Sequence, residues 1–454
     1  MTSDSSANAT ADSAPVQKTS LYTLSARTKK RNAAEARFKF YGIAAIATGL
    51  FFLVVLLSQI VLNGSGAFLQ ARITVPVHLD QARIEKAEKS VMKTSGYRKL
   101  IEGALLEQIT EQGIAGDMSK AKHLRVMFSS GAPNTLRQYV LSNPDRINST
   151  VTLALATSSR IDGYLKGRVS RDSITEDKKI NAGHLDLADA MRDRGTLKKS
   201  FNWGFITGND ASDLRPEQSG MGQSMLGSLA MMIVVLLVCL PVSVAASIYL
   251  EEFAPRNRLT NFIEVNISNL AAVPSIVFGI LALAAFIQFG GGTLGIEQLR
   301  ASAPLVGGLA LSLMTLPTII IATRASLKAV PPSIRDAALG VGASKMQAVF
   351  HHVLPLAMPG IMTGTIIGLA AALGETAPLL LIGMVAFVQT DIAGLGSFLT
   401  DPNVGMPAQI YIWATRADGA WYERAWGGII LLLVFLIAMN TLAIILRRKF
   451  ERRW

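Results

Sequence analysis

Long apolar runs without a charged residue alternate with mixed stretches along the chain. A membrane-spanning helix needs about 20 mostly apolar residues, and in hydrocarbon its backbone must satisfy its own hydrogen bonds. Six runs meet this length, so the pattern predicts six spanning helices rather than the buried helices of a large soluble core. The runs are residues 40–71, 218–250, 265–296, 301–323, 346–374 and 425–446.

The stretch between the first two runs is long and mixed in composition. Residues 82–112 have helical apolar spacing, and Thr150–Thr157 has the composition of a strand. We therefore predict an all-α polytopic membrane protein with a mixed α/β periplasmic domain between helices 1 and 2. The predicted divisions are a basic disordered cytoplasmic tail at 1–40, helix 1 at 41–62, the periplasmic domain at 63–220, a transmembrane domain with helices 2–6 at 221–447, and a basic cytoplasmic tail at 448–454.

The charges support this topology. The chain carries 44 Lys and Arg against 32 Asp and Glu, and only 17% of its residues are charged, fewer than the roughly 25% of a soluble domain. Basic residues cluster just before the first run and just after the last, and such clusters mark the cytoplasmic side. Six spans place both termini on that side of a bacterial inner membrane. The positive charge therefore indicates orientation in a lipid bilayer and not binding to nucleic acid.

A motif lies between the predicted fourth and fifth helices, in the segment 324–355. It reads Asp336-Ala337-Ala338, three residues, Gly342, then eleven residues to Leu354-Pro355. A carboxylate suits the first turn of a helix, small alanines allow a partner surface to approach, and glycine permits a bend that other residues resist. The spacing therefore predicts a helix–bend–helix knob that fits a groove on another protein.

This motif resembles the EAA loop of binding-protein-dependent ABC importers. Two positions depart from that pattern, because Asp336 replaces Glu and His352 replaces Ile. The resemblance implies six helices of the type I importer (MetI-like) permease class and a loop that couples the permease to an ATPase. The coupling residues that it implies are Asp336, Ala337, Ala338, Gly342, Leu354 and Pro355.

Further motifs within residues 220–454 narrow the resemblance to the PstA-type permeases of phosphate importers. They are Ala272–Gly279, Leu316-Pro317-Thr318 leading to Arg324, Gly374–Leu380 and Met406–Trp413. The resemblance implies phosphate translocation by alternating access, with a PstC-type permease as heterodimer partner, a PstB-type ATPase dimer and a periplasmic phosphate-binding protein. The residues that it suggests for the translocation pathway are Glu375, Thr376, Pro378 and Arg324.

Glu375 is also notable on physical grounds. It is the one formal charge between Lys345 and Asp391, and an acid within a span is costly and often functional. A structural glutamate bonded to Thr376 or to a neighbouring helix is an equal alternative. Related permeases often carry Arg at the position of Ala371, so here the charge that attracts an anion must come from elsewhere or from the partner permease.

No enzymatic activity is expected of this chain. The chain has no Gly-x-x-x-x-Gly-Lys-Ser/Thr phosphate loop, so ATP hydrolysis is expected on a separate subunit. No cofactor is expected, and the single cysteine, Cys239, is expected to be a small buried residue. Two alternatives stay open at this point: a permease for another oxyanion or small solute, and a membrane sensor with a periplasmic ligand domain.

Overall fold

The computed structural model describes residues 26–114, 116, 120–176, 179–385 and 397–450. Among these residues, six helices are long and apolar enough to cross a membrane. The predicted fold class is thereby confirmed. The chain divides into two compact units, one up to Gln59 and one from Ile60 onward. The candidate spans are Ala26–Phe68, Gly222–Phe253, Ser275–Thr293, Pro304–Ala329, Lys345–Gly374 and Gly419–Lys449.

Helix α1 extends from Ala26 to Gly64. The prediction of a disordered tail at 1–40 is therefore wrong for residues 26–40, while residues 1–25 lie outside the described part of the chain. The helix continues because this stretch is rich in Ala, Arg, Lys and Glu, which are strong helix formers. Lys39 and Glu35 add an ion pair one turn apart, with 3.1 Å between nitrogen and oxygen.

An antiparallel three-stranded sheet in the order β2-β1-β3 organises the domain between the first two spans. We refer to residues 69–218 as the inserted domain. The central strand contains Pro76, which has no N–H to donate. Strand β3 pairs only with Leu69–Ile73 and ends before Pro76, so the proline breaks no ladder bond on that side. The strands are β1 (Leu69–His78), β2 (Thr150–Ala156, as predicted) and β3 (Leu197–Phe201).

Helices cover one face of this sheet. Alternate residues of β1, from Ala71 to Val77, are buried in the core of the inserted domain. The region predicted as helical, 82–112, forms two helices that contact closely where Gly96 meets Ala87. The helices of the domain are α2 (Gln81–Lys89), α3 (Lys93–Glu111), α4 (Ala132–Ser142), α5 (Ser159–Leu165), α6 (Ala182–Asp193) and α7 (Trp203–Thr207).

The third span differs from its prediction at Val265–Phe289. Helix α8 (Gly222–Ile248) continues as a π-helix to Phe253, and α9 (Arg258–Leu270) follows as a separate helix. The chain then breaks before α10 (Ser275–Ala282), which continues as a π-helix to Thr293. Pro274 causes the break, because its ring disfavours helical backbone at the preceding residue.

The remaining helices include two long spans that pack against α8. Small polar side chains of α8 donate hydrogen bonds to carbonyls of α11, at Cys239–Ser312 (3.4 Å), Ser243–Leu316 (3.5 Å) and Ser247–Ile320 (3.2 Å). Such residues let membrane helices approach closely, and Cys239 is a small buried residue as expected. The helices are α11 (Pro304–Ala329), α12 (Pro332–Gly340), α13 (Lys345–Ala348), α14 (Leu354–Gly374), α15 (Ala377–Leu381), α16 (Met406–Ala414) and α17 (Gly419–Phe450).

A glycine stripe joins α14 to α11. Gly360, Gly364 and Gly368 recur every four residues; a Cβ at Gly360 or Gly364 would collide with α11, and one at Gly368 would press tightly against it. Ala322 of α11 faces Gly364, and Ser326 faces Gly360. The two helices are therefore antiparallel and in close contact, which is the use of small residues at every fourth position in membrane helices.

Candidate functional site

The segment between α11 and α14 forms a helix, a bend and a second helix. Helix α12 ends through two backbone hydrogen bonds, from Gly342 N–H to Leu339 O at 3.0 Å and from Ala343 N–H to Ala338 O at 3.0 Å. This is a Schellman motif, in which a left-handed residue terminates the helix. Gly342 adopts that conformation, with φ at +91°. The residue type at the bend is therefore set by the backbone.

The coupling residues predicted from the sequence differ in exposure. Asp336, Ala337 and Gly342 are exposed, Ala338 is buried, and Leu354 and Pro355 are half-buried. Val341, at the bend, is 86% exposed. The exposed side of α12 and the bend thus present a carboxylate, a small residue and an apolar residue to solvent, which is a surface that another protein can cover.

The start of the segment is hydrogen-bonded to the end of α11 and to the π-helix that follows α8. The guanidinium of Arg335 donates to Glu252 at 2.6 Å and to the carbonyls of Leu327 and Val330 at 2.9 and 2.7 Å. Sequence reasoning counted Arg335 only in the charge balance and missed Glu252. An acid at the end of an apolar run, opposite a basic loop, is the signal that could have found this pair.

The second half of the motif leads into α14. A π-helix over Val349–Val353 precedes Leu354 and Pro355, which begin α14. Val353 is buried in a cluster with Ile248 and Leu327. His352, at the position where Ile is usual, is exposed, so the departure from the motif removes no packing within this chain.

The residues suggested for the pathway do not form one cluster. Arg324 lies near Ala322, which faces Gly364, and from Gly364 to Glu375 helix α14 rises about 16 Å. The guanidinium of Arg324 is 2.8 Å from Glu264 and 3.4 Å from Glu251. Arg324 is therefore engaged with two carboxylates and is not a free cation.

Glu375 lies where α14 ends and α15 begins. Its backbone is extended, and its N–H bonds to Ala372 O at 3.2 Å. Among the described residues, its carboxylate has no hydrogen bond or ion pair, so the bond to Thr376 considered from the sequence is not formed. The half-buried acid is thus available to a group that this part of the chain does not supply.

Three of the motifs on which the resemblance to PstA-type permeases rests pack together around α15. A side chain at Gly279 of α10 would collide with Pro378, so the absence of a Cβ allows the two motifs to touch. Gly405, just before α16, similarly lies against Leu379. The motifs at 272–279, 374–380 and 406–413 therefore form one packed group at the Glu375 end of the spans.

Comparison with known proteins identifies the family. The model described as "Binding-protein-dependent transport system inner membrane component" matches residues 243–454. The phosphate transport system permease protein PstA of Mycobacterium leprae is 30% identical over 244 residues, which cover 52% of this chain and 74% of that protein. PstA 2 of Mycobacterium bovis is 33% identical over 261 residues, which cover 56% and 79%. This chain belongs to the PstA family of ABC importer permeases.

Membership in the PstA family sets the coarse function. The chain is a multi-pass inner-membrane translocation subunit that works with an ATPase and a substrate-binding protein, so the sensor alternative is set aside. A "Domain of unknown function (DUF3333)" model matches residues 25–175. Among solved structures, the inward-facing MetNI methionine ABC transporter has a TM-score of 0.35 and 17% identity, and covers 51% of this chain and 95% of that one.

Proposed function

We propose that this PstA-family chain carries inorganic phosphate across the inner membrane by alternating access. The observation that carries the proposal is the set of curated relatives, which are phosphate transport system permeases in Mycobacterium leprae and Yersinia pestis. The motif from Gly374 to Leu380, packed against the motifs at 272–279 and 406–413, supports it. In this proposal Glu375, Thr376 and Pro378 border the pathway.

The partners in this proposal are a PstC-type permease, a PstB-type ATPase dimer and a periplasmic phosphate-binding protein. ATP hydrolysis takes place on the ATPase dimer. Its groove receives the knob formed by α12, Gly342 and α13, where Asp336 and Ala337 are exposed. Arg324 is paired with Glu251 and Glu264, and Ala371 carries no charge. Neither position supplies a free cation, so in this proposal the charge that attracts phosphate comes from elsewhere or from the partner permease.

The proposed topology places both termini and the segment 324–355 in the cytoplasm. The inserted domain then lies in the periplasm, within the predicted boundaries 63–220, and the permease domain occupies 221–447. Single-cysteine labelling in a Cys239→Ser background tests this arrangement. An impermeant maleimide should reach a thiol at Ser170 in intact cells and should not reach one at Ser333, and the reverse pattern would invert the topology.

Uptake of radiolabelled phosphate tests the substrate. A strain that lacks this chain should lose uptake from micromolar phosphate and regain it when the chain is restored. Unlabelled sulfate or molybdate in excess should leave the uptake unchanged, and unlabelled phosphate should abolish it. Competition by another oxyanion, or restored uptake of that anion alone, would assign the permease to that anion.

A further inference from the structure

A buried carboxylate joins the inserted domain to α16. The indole Nε1 of Trp413 donates to one oxygen of Asp210 at 3.1 Å, and the amide Nε2 of Gln409 donates to the other at 3.0 Å. Trp413 and Gln409 both lie on α16 and are buried, and the side chain of Asp210 is 9% exposed. Each oxygen of Asp210 therefore holds one side chain of α16.

A guanidinium group also lies near this carboxylate. The guanidinium of Arg416 is 3.9 Å from Asp210 and 3.0 Å from Asp213, and it stacks at 3.9 Å over the ring of Trp421. Burial raises the pKa of Asp210, while the hydrogen bond from Trp413 and the charge of Arg416 oppose the rise. Asp210 is thus held by hydrogen bonds from α16 and by the charge of Arg416 together.

A second polar contact fixes the inserted domain to the start of α17. The ammonium of Lys166 lies between carboxylates of Asp162 at 2.6 Å and Glu423 at 2.8 Å, and all three side chains are buried. The guanidinium of Arg424 donates to the carbonyls of Ala67 at 3.1 Å and Glu217 at 2.9 Å. The domain is thus bound on both sides of the turn between α16 and α17.

The other side of α16 reaches the group of motifs around Glu375. Gly405 allows close approach to Leu379 of α15 and to Met231 of α8. The N–H of Met406 donates to the hydroxyl of Ser228 at 2.9 Å. Helix α16 therefore lies between the inserted domain and the motif that contains Glu375.

Helix α16 is too short to keep its place unaided. It has nine residues, and isolated helices below about 12–15 residues are marginal. Its position must come from what it contacts on both sides. The inserted domain supplies one of these sides through Asp210.

We propose that the inserted domain positions α16 at the outer mouth of the permease, and that Asp210 is the positioning residue. The domain thereby acts as a rigid outer support for the elements around Glu375 while the spans change between inward-facing and outward-facing states. This inference rests on the proposed transport function. Residues 69–175 of the inserted domain fall within the match described as a domain of unknown function, and Asp210 lies beyond it.

Thiol protection on α16 tests the proposal in the assembled transporter. Ala408 is fully buried, so Ala408→Cys in a Cys239→Ser background should react slowly with a maleimide. Adding Asp210→Ala should make the reaction about tenfold faster, which corresponds to about 1.4 kcal/mol of lost restraint on α16. Adding Asp210→Asn should leave the rate near the parent's, because Gln409 can turn its amide and keep both hydrogen bonds.

Asp213→Ala is the matched control. Asp213 pairs with the same Arg416 but is 80% exposed, so its loss should leave the labelling rate unchanged. Unchanged labelling in an assembled Asp210→Ala transporter would overturn the proposal, as would equal acceleration by Asp210→Asn or Asp213→Ala. If Asp210→Ala does not assemble, Gln409→Met decides, since it removes one donor and keeps the side-chain length. Faster labelling then supports the proposal, and unchanged labelling overturns it.

The labelling rate is measured without substrate, so it is independent of which solute is carried. Phosphate uptake on the same variants then links position to transport. Asp210→Ala should reduce uptake severalfold at equal assembly, whereas Asp210→Asn should not. If Asp210→Ala labels faster but phosphate uptake is undiminished, the position of α16 does not affect transport, and the supporting role of the domain is overturned. If the parent carries no phosphate, the proposed substrate fails while the labelling result stands.

Discussion

The two ends of the permease domain differ in whether their surfaces are exposed or are covered within this chain. At residues 330–353 between α11 and α14, called here the coupling segment after its proposed role, Val341 is 86% exposed and Leu339 is also exposed, so an apolar surface faces solvent. At the junction with the inserted domain, the charged groups of Asp162, Glu423 and Arg424 are buried and paired within this chain. The first end leaves its apolar surface uncovered in this chain, and the second is covered by the inserted domain.

The difference extends to how each end is held. A few contacts from Arg335 to Glu252 and to two carbonyls fix the root of the coupling segment, while its apex is free. The junction has polar contacts on both α16 and α17 together with an aromatic cluster of Phe205, Trp413 and Trp421. The coupling segment is therefore held at its root only, whereas the junction is held on two helices.

The largest expected effect is at the bend of the coupling segment. Gly342→Val should abolish phosphate uptake while the protein is still inserted in the membrane. A β-branched residue at φ of +91° must leave that conformation, so the knob loses the shape that the ATPase receives. Uptake and the amount of protein in the membrane fraction are measured together. Gly340→Val is the matched control, because a Cβ there also meets open space but the backbone is not left-handed. Normal uptake in Gly342→Val would rule out the coupling role.

The next largest effect is expected at Glu375. Glu375→Gln keeps the size and removes the charge. If the carboxylate orders a cation of the partner permease or closes the outer gate, uptake should collapse while expression and subunit assembly persist. Uptake and copurification of the partner subunits are measured on the same variant. Full uptake with Gln, or loss of assembly in parallel with uptake, would defeat the transport role and leave a structural glutamate.

Local features of the fold were accessible from the sequence. The six spans follow from apolar length alone, and the bend at Gly342 follows from motif spacing because a left-handed helix terminus favours glycine. The break before α10 could also have been predicted, since Pro274 stands within the apolar run. The stripe of Gly360, Gly364 and Gly368 has a four-residue period that sequence inspection could have detected.

The contacts that close each end could not be predicted from one sequence. Arg335 and Glu252 are 83 residues apart, and Trp413 and Asp210 are 203 apart. No local propensity or period specifies such pairs, because they exist only after the helices have packed. For the same reason no role of the inserted domain could be predicted from the sequence, although Asp210 lies in it.

An intermediate effect on stability is expected at the junction. Glu423→Ala leaves the buried ammonium of Lys166 with only Asp162 as an acidic partner. Breaking a buried ion pair in this way costs about 3–5 kcal/mol, so thermal unfolding of the purified transporter should shift clearly to lower temperature. Asp186→Ala removes an exposed partner of Arg171 and should cost at most about 1 kcal/mol. Equal small shifts for both variants would show that the junction is no more firmly held than the protein surface.

The smallest effect is expected within the inserted domain, at an ion pair that is only partly shielded. Hydrogen bonds from Arg137 lower the pKa of Glu88 to about 2, although burial opposes the shift and Tyr97 contributes. Because the folded pKa lies below the unfolded value of about 4.5, Glu88 stabilises the domain above that pH, and the contribution is lost as pH falls from about 4.5 towards 2. Its side chain is 27% exposed, so solvent screening reduces the expected loss of stability between pH 6 and pH 3.5 to about 1 kcal/mol.

Hydrogen exchange of the amides of α2 and α4 in the intact transporter, corrected for the intrinsic pH dependence, should accelerate over this range. In Glu88→Gln the same amides should exchange faster at pH 6 and show less further acceleration. An equal pH response in both proteins would assign the acid sensitivity of the domain to other groups.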